Sequence, residues 1–247
     1  DWLPKNERTI ERIIYEKTSA LLNSNIIIAK QSSNEIIRFI KKNISKNKAN
    51  KIFFNEDYNF VLRENDFFYY EDKYGGLKIQ KPKMNGQFQI ENASTAIAAL
   101  RVLEHIKITD QHIFEGVKKA NNIARLEEIK SGKLKNLVKD NKLLIDSSHN
   151  PGGSKVLNDY LQTLDCKKHV IIGMMANKDH EKYISYFRNI SSLTTIDIPN
   201  QPNSLSGKDL KEKFKNIPNV KYQTNIEKAI KSVNLNEGDV LLITGSL

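Results

Sequence analysis

The sequence predicts an α/β chain of two domains, the second a doubly wound, mostly parallel sheet. Past residue 122, strand patterns at 143–146, 169–173, 193–198 and 240–244 alternate with helical patterns at 154–164, 179–187, 207–214 and 226–233. Apolar strands alternating with helices build a parallel sheet covered on both faces. Before residue 122 the texture differs, with short hairpin-like strands between amphipathic helices. A chain of 247 residues holds one large or two modest domains. The boundary is placed near 122, giving domains 1–122 and 123–247.

Each element has its own signal. Residues 9–22 put Ile10, Ile13, Ile14 and Leu21 at helical spacing. A short apolar strand follows at 25–29, then an amphipathic helix at 34–44 with Asn34 as its expected N-cap. Strands are expected at 51–54, 59–63, 67–70 and 77–79, with Lys73-Tyr74-Gly75-Gly76 as a hairpin turn. An Ala-rich helix is expected within 89–106 and another over 110–120.

Composition narrows the classes. The formal charge is +10, but it comes mostly from Lys spread along the chain among many Asn and Ile residues. The densest basic segment, from Lys41 to Lys51, lacks interleaved aromatics. A nucleic-acid partner is therefore not expected, and an anionic small-molecule substrate fits the charge. No run of about 18 apolar residues occurs, so no membrane partner is expected either. The single Cys166 excludes an internal disulfide and fits a reducing cytoplasm.

The most informative stretch is 143–151. An apolar run ends in Asp146, His149 and Asn150, and Pro151-Gly152-Gly153 opens a helical pattern. This places the three polar residues at the C-terminal tip of a buried strand, where ligands bind in open α/β sheets. The facing helix N-terminus suits phosphate. The same residues equally fit a plain cap, with Asp146 or Asn150 capping a helix begun by Pro151. Gln89 and Asn92 lie three apart at the start of a helix, where two amides can read a base edge or simply cap it. Arg125 sits just past the boundary and is either a ligand contact or a surface Arg. Lys178-Asp179 ends another strand at the same rim; Asp179 also fits a helix cap and Lys178 a solvated lysine. Lys17 lies on the first helix, where a lysine is ordinarily solvated. His105 and His112 read as structural. A G-x-x-x-x-G-K-[ST] loop, a G-x-G-x-x-G turn after a strand and an H-E-x-x-H pair are all missing from these 247 residues.

In this order the pieces resemble the folylpolyglutamate synthase/dihydrofolate synthase family of the Mur-ligase superfamily. The segment from Asp1-Trp2-Leu3 through Thr9 to Glu16-Lys17 is similar to the family's "DH…LG-T…IA-EKAGI". Gly86, Gln89 and Asn92-Ala93 match "G-HQ-NA-AIAAL", and Ala124-Arg125-Leu126-Glu127 matches "GRLE". Asp146-Ser147-Ser148-His149-Asn150-Pro151 matches "DGAHNP", and the segment from Gly173 to Asp179 matches "GMLADKD". Ser204-Leu205-Ser206 and Thr244-Gly245-Ser246 also have counterparts.

The resemblance implies the C-terminal part of a Mur-ligase-type ATPase domain followed by a Rossmann-like C-terminal glutamate ligase domain. It implies ATP-dependent addition of L-glutamate to dihydropteroate and/or a folylpolyglutamate through an acyl phosphate, with Mg²⁺. By resemblance Lys17 is the family's carbamylated lysine, a catalytic and metal-holding position, and His149 is a second catalytic residue. Asn92, Arg125 and Asp146 correspond to ATP-contacting positions. The phosphate loop, pterin loop and a metal-binding His lie upstream in this family. The chain is therefore expected to be a fragment that does not turn over by itself, from a cytoplasmic monomeric enzyme. A peptidoglycan Mur ligase and a non-catalytic ligase-like binding fragment are the alternatives.

Overall fold

A computed structural model of the chain describes residues 3, 7–21, 24–63, 66–214, 217 and 219–246. Asp1 and Trp2, which open the first resemblance block, and Leu22 lie outside the described residues. Contacts divide the chain into two compact units. One comprises Leu3–Lys83 and Gln87–Asn121, the other Met84–Gly86 and Asn122–Leu247.

The first unit begins with α1 (Ile10–Ser19), started by Thr9, whose side chain accepts from the Arg12 N–H at 3.2 Å. Strand β1 (Ile26–Ile28), helix α2 (Asn34–Asn43) and strand β2 (Lys51–Phe53) form a parallel crossover. Ser33, not Asn34, is the N-cap of α2, because its hydroxyl accepts from the Ile36 N–H. Ile14, Ile26, Ile28, Ile40, Ile44 and Phe53 form their common core. An antiparallel meander follows: β3 (Tyr58–Leu62), β4 (Phe67–Asp72) and β5 (Gly75–Gln80).

Gly75 and Gly76 already pair with Asp72 and Glu71, so the hairpin turn shrinks to Lys73-Tyr74. The meander packs on α3 (Phe88–Arg101) and α4 (Asp110–Lys119) through Phe68, Tyr70, Ile79, Ile97 and Ile113. Helix α3 stops at Arg101 instead of reaching 106, and that guanidinium is tied to Asp72 at 2.7 Å and Asp110 at 3.4 Å.

The second unit runs β6 (Glu127–Ile129), α5 (Lys133–Val138), β7 (Lys142–Asp146), α6 (Pro151–Gln162), β8 (Lys168–Gly173), α7 (His180–Ile184), β9 (Ser192–Ile196), α8 (Gly207–Lys213), β10 (Val220–Gln223), α9 (Ile226–Ser232) and β11 (Val240–Gly245). The sheet order is β10-β9-β8-β11-β7-β6. Every pairing is parallel except β6 with β7, giving the expected α/β architecture with one antiparallel edge.

Strands β8 and β11 are buried along their whole length, as a parallel core requires. The crossover from β7 to β8 skips the slot that β11 later fills. The crossovers β8 to β9 and β9 to β10 continue outward, and β10 to β11 returns. Right-handed crossovers in opposite directions put α9 on the face opposite α6, α7 and α8. Accordingly α9 packs with α5 over Leu143, Ile171, Leu241 and Ile243. At the far end of the sheet Gly245 has φ +115°, and a Cβ there would lie 2.0 Å from the Gly173 carbonyl oxygen, so only glycine closes β11 on β8. Among the described residues no helix is long and apolar enough to cross a membrane.

At the amino edge of the sheet a buried chain of hydrogen bonds staples three strands. His169 Nε2 lies 3.2 Å from Asp239 Oδ2, and Nδ1 lies 2.8 Å from Ser192 Oγ. A carboxylate only accepts, so Nε2 carries the proton; in the neutral ring Nδ1 then accepts from Ser192. Burial alone would push the Asp239 carboxyl up. The Asn236 N–H and the His169 side chain outweigh it and hold that carboxyl below its ordinary value. A depressed carboxyl stabilises the fold above the unfolded value near 4 and loses that contribution as pH falls through the folded one. Asp239→Asn is expected to destabilise the protein by about 1–3 kcal/mol at pH 7. In thermal melts taken down the acid range, the gap between variant and wild type should narrow as pH falls below the ordinary carboxylate range and the folded carboxyl is protonated.

Candidate functional site

Four of the motifs read from the sequence converge at the carboxyl edge of the second unit's sheet. The loop 147–150 leaves β7, the turn 174–179 leaves β8, and Ser246 follows β11. Ser204-Leu205 folds onto the β8 turn: the Leu205 N–H donates to the Met174 carbonyl, and the Ala176 N–H to the Asn203 carbonyl. Ser246 joins them by accepting from the Met175 N–H at 3.2 Å. Parallel strands place all these loops at one end because each strand finishes there.

Asp146 ends β7 and is buried, 4% exposed. Its Oδ2 accepts from the Leu126 N–H and its Oδ1 from the Ser148 N–H, both at 2.9 Å. Arg125 is exposed in the turn that leads into β6. Its neighbours Ala124 (φ 54°) and Leu126 (φ 51°) are both in the left-handed region, which costs each roughly 1–2 kcal/mol. Four bonds hold the turn. Besides the one from Leu126 to Asp146, the Leu126 carbonyl accepts from Asn85 Nδ2 at 2.8 Å. The Ala124 N–H donates to Glu127 Oε2 at 2.8 Å, and the Ala124 carbonyl accepts from the Ser147 N–H at 2.8 Å. A strained conformer fixed from several sides is characteristic of functional turns.

His149 is half-buried, with Nδ1 2.9 Å from the Ser147 carbonyl. A carbonyl only accepts, so Nδ1 carries the proton and Nε2 keeps the lone pair when the ring is neutral. Asn150 caps α6 by accepting from the Gly153 N–H at 2.9 Å, with Pro151 in the first turn. Capping is thus the role of Asn150, whereas Asp146 binds the turn and the loop. Gly153 is needed here, since a Cβ would come 2.7 Å from Ser148 Cβ. Asp179 caps α7 through the Lys182 N–H. Tyr183, buried on α7, ties the loop to β11: its hydroxyl lies 3.0 Å from the Ser148 carbonyl, 3.1 Å from Ser148 Oγ and 2.9 Å from Thr244 Oγ1.

Lys17 and Asn92 belong to the first unit. Lys17 is exposed in the last turn of α1. Asn92 lies inside α3, and helix capping is excluded for it because position 87 precedes the helix. It is exposed, and its Nδ2 donates to Gln89 Oε1 at 3.2 Å. Gln89 is 4% exposed, and its Nε2 finds no hydrogen-bond partner among the described residues. A buried donor left unpaired is costly. Among the described residues no group of three or more His, Cys, Asp or Glu forms a metal site.

Sequence reasoning named Arg125, Asp146 and His149 but gave no role to Asn85, Glu127 or Tyr183. Glu127 was quoted only as part of its motif. Asn85 and Tyr183 carried no local signal, because their partners lie 41 and 35 or more positions away.

The family model described as Mur ligase, glutamate ligase domain matches residues 124–247, and the chain belongs to this family. No curated protein matches the sequence. Among solved structures, E. coli FolC in complex with DHPP and ADP is similar at 20% identity and TM-score 0.79, covering 100% of this chain and 55% of that one. Mycobacterium tuberculosis folylpolyglutamate synthase complexed with ADP and AMPPCP is similar at 17% identity and TM-score 0.82, covering 100% and 58%. A bifunctional folylpolyglutamate synthase/dihydrofolate synthase with Mn, AMPPNP and L-glutamate bound gives 18%, 0.80, 100% and 56%. The chain spans little more than half of each of these proteins, and the likeness is one of fold.

Burial pushes the Tyr183 phenol up to about 12 from 10.0, against the opposing bonds of Ser148 and Thr244. A raised folded value means the neutral hydroxyl's contribution is complete below pH 10 and disappears as pH rises through about 12. Tyr183→Phe keeps the buried ring and is expected to cost about 1–2 kcal/mol at pH 7. Denaturant titrations from pH 8 to pH 12 should show wild type and variant converging only above pH 10.

Proposed function

We propose that this chain belongs to an ATP-dependent ligase that joins L-glutamate to dihydropteroate and/or a folylpolyglutamate, an acid–amino-acid ligation of folate metabolism. The observation that carries the reading is the exposed Arg125, in a strained turn whose flanking residues are hydrogen-bonded, at the carboxyl rim of a Mur ligase glutamate ligase domain. The named ligands of the similar structures, DHPP, ADP, AMPPNP and L-glutamate, support the same choice of substrates.

In this reading ATP transfers its terminal phosphoryl group to a substrate carboxylate, releasing ADP and leaving an acyl phosphate. The glutamate amine attacks the carbonyl carbon, loses a proton, and expels phosphate as the amide forms. The Arg125 guanidinium offers a fixed fork to the nucleotide phosphates. His149 Nε2 is the proton acceptor for the attacking amine. The exposed Asn92 amide suits the adenine edge. Each Asp146 oxygen keeps a second lone pair after its backbone bond, which suits a ribose hydroxyl.

A divalent ion, Mn in one similar structure, would neutralise phosphate charge. Among the described residues no group of His, Cys, Asp or Glu makes a site for it by itself. Lys17 becomes a fitting ligand only as its carbamate, since the ammonium repels a cation.

The test is glutamate-dependent ADP release by the complete reading frame containing this chain. Dihydropteroate, a reduced folate monoglutamate and a UDP-sugar peptide serve as separate acceptors. Release with either pterin is expected. Release with the UDP-sugar peptide alone would reassign the protein to peptidoglycan ligation, and release with none to a non-catalytic role. Arg125→Lys should raise the KM for ATP roughly tenfold or more, because a point charge does not replace a bidentate fork.

A further inference from the structure

The exposed Arg125 side chain leaves a turn whose backbone is strained on both sides. Residues 124 and 126 both sit in a conformation that a free chain avoids, and neither is glycine or asparagine. The turn therefore persists only through its bonds. Two come from the β7 region, the side chain of Asp146 and the backbone of Ser147. The other two come from side chains that no reading so far has used. Glu127 Oε2 caps the Ala124 N–H, and Asn85 Nδ2 holds the Leu126 carbonyl. Asn85 reaches the turn from a three-residue segment, Met84–Gly86, that packs with the second unit although its sequence neighbours on both sides belong to the first.

We propose that Glu127 and Asn85 are positioning residues for Arg125, acting on nucleotide phosphate recognition without touching the nucleotide. This rests on the reading of Arg125 as the phosphate contact. Glu127 has a specific chemical requirement. Its bond needs an acceptor oxygen at that position, not a charge, so glutamine can take its place and alanine cannot. Asn85 needs a donor, which alanine and aspartate both lack. If either bond is lost, Ala124 and Leu126 relax toward ordinary backbone angles, and the direction in which the Arg125 side chain leaves the turn is no longer fixed.

The experiment is titration calorimetry with MgADP on the complete reading frame, with thermal melts of the same samples. The variants are Arg125→Ala, Glu127→Ala, Glu127→Gln and Asn85→Ala. Arg125→Ala is expected to weaken MgADP binding strongly. Glu127→Ala and Asn85→Ala should each weaken it roughly tenfold, while Glu127→Gln stays within about threefold of wild type. Hydrogen exchange gives an independent readout: the Ala124 amide should lose protection in Glu127→Ala and regain it in Glu127→Gln.

If Arg125→Ala weakens binding while Glu127→Ala and Asn85→Ala bind as wild type, the positioning role is wrong and the phosphate reading stands. A Glu127→Gln defect equal to that of Glu127→Ala would also overturn the proposal, because it would assign the effect to charge. Unchanged binding in Arg125→Ala would remove the phosphate reading and this inference with it.

Discussion

The carboxylate of Asp146 is the interaction on which the second unit's rim depends. It closes the most buried part of β7, and each oxygen binds one backbone N–H from a different segment. One bond fixes the turn that carries Arg125, and the other fixes the loop that carries His149. A buried carboxylate is costly unless it is hydrogen-bonded. Here the desolvation is offset by two donors that have no other partner in their own segments. The same group therefore ties the turn around Arg125 and the loop before His149 to the end of β7.

Around this point the fold supplies position and the small residues supply room. Parallel strands deliver the loops after β7, β8 and β11 to one edge. Gly153 lets α6 begin against Ser148, and Gly245 lets β11 close on Gly173. Tyr183 then ties the β7 loop to β11 from the helical layer, so the loop is held from three sides. The opposite edge has its own staple in His169, Asp239 and Ser192. The sheet is thus pinned at both ends.

Much of this was legible in the sequence wherever one residue's own surroundings decide its state. Strands β7, β8 and β11 declared themselves by apolar runs, and β9 by its β-branched Thr-Thr-Ile. The elements that escaped notice were at the margins. Strand β6 reads Glu-Glu-Ile and β10 reads Val-Lys-Tyr-Gln, and an edge strand buries too little to need an apolar run. Helix α5 spans six residues, too few to show a period. Helix boundaries moved for equally local reasons, such as Ser33 outcompeting Asn34 as a cap. Candidate site residues were named from their motifs, but their partners were invisible. Nothing near Asp146 in sequence announces that it binds Leu126, 20 positions away. Nor does Asn85 announce a bond to the same turn.

The most direct measurement is amide hydrogen exchange at Leu126 and Ser148, followed in the wild-type protein and in Asp146→Asn. If Asp146 organises the rim, both amides exchange slowly in the wild type. At least one of them should then lose protection in the variant, because asparagine offers one acceptor oxygen where the carboxylate offers two. Rapid exchange of either amide in the wild type, or loss of protection at neither in the variant, would contradict the account.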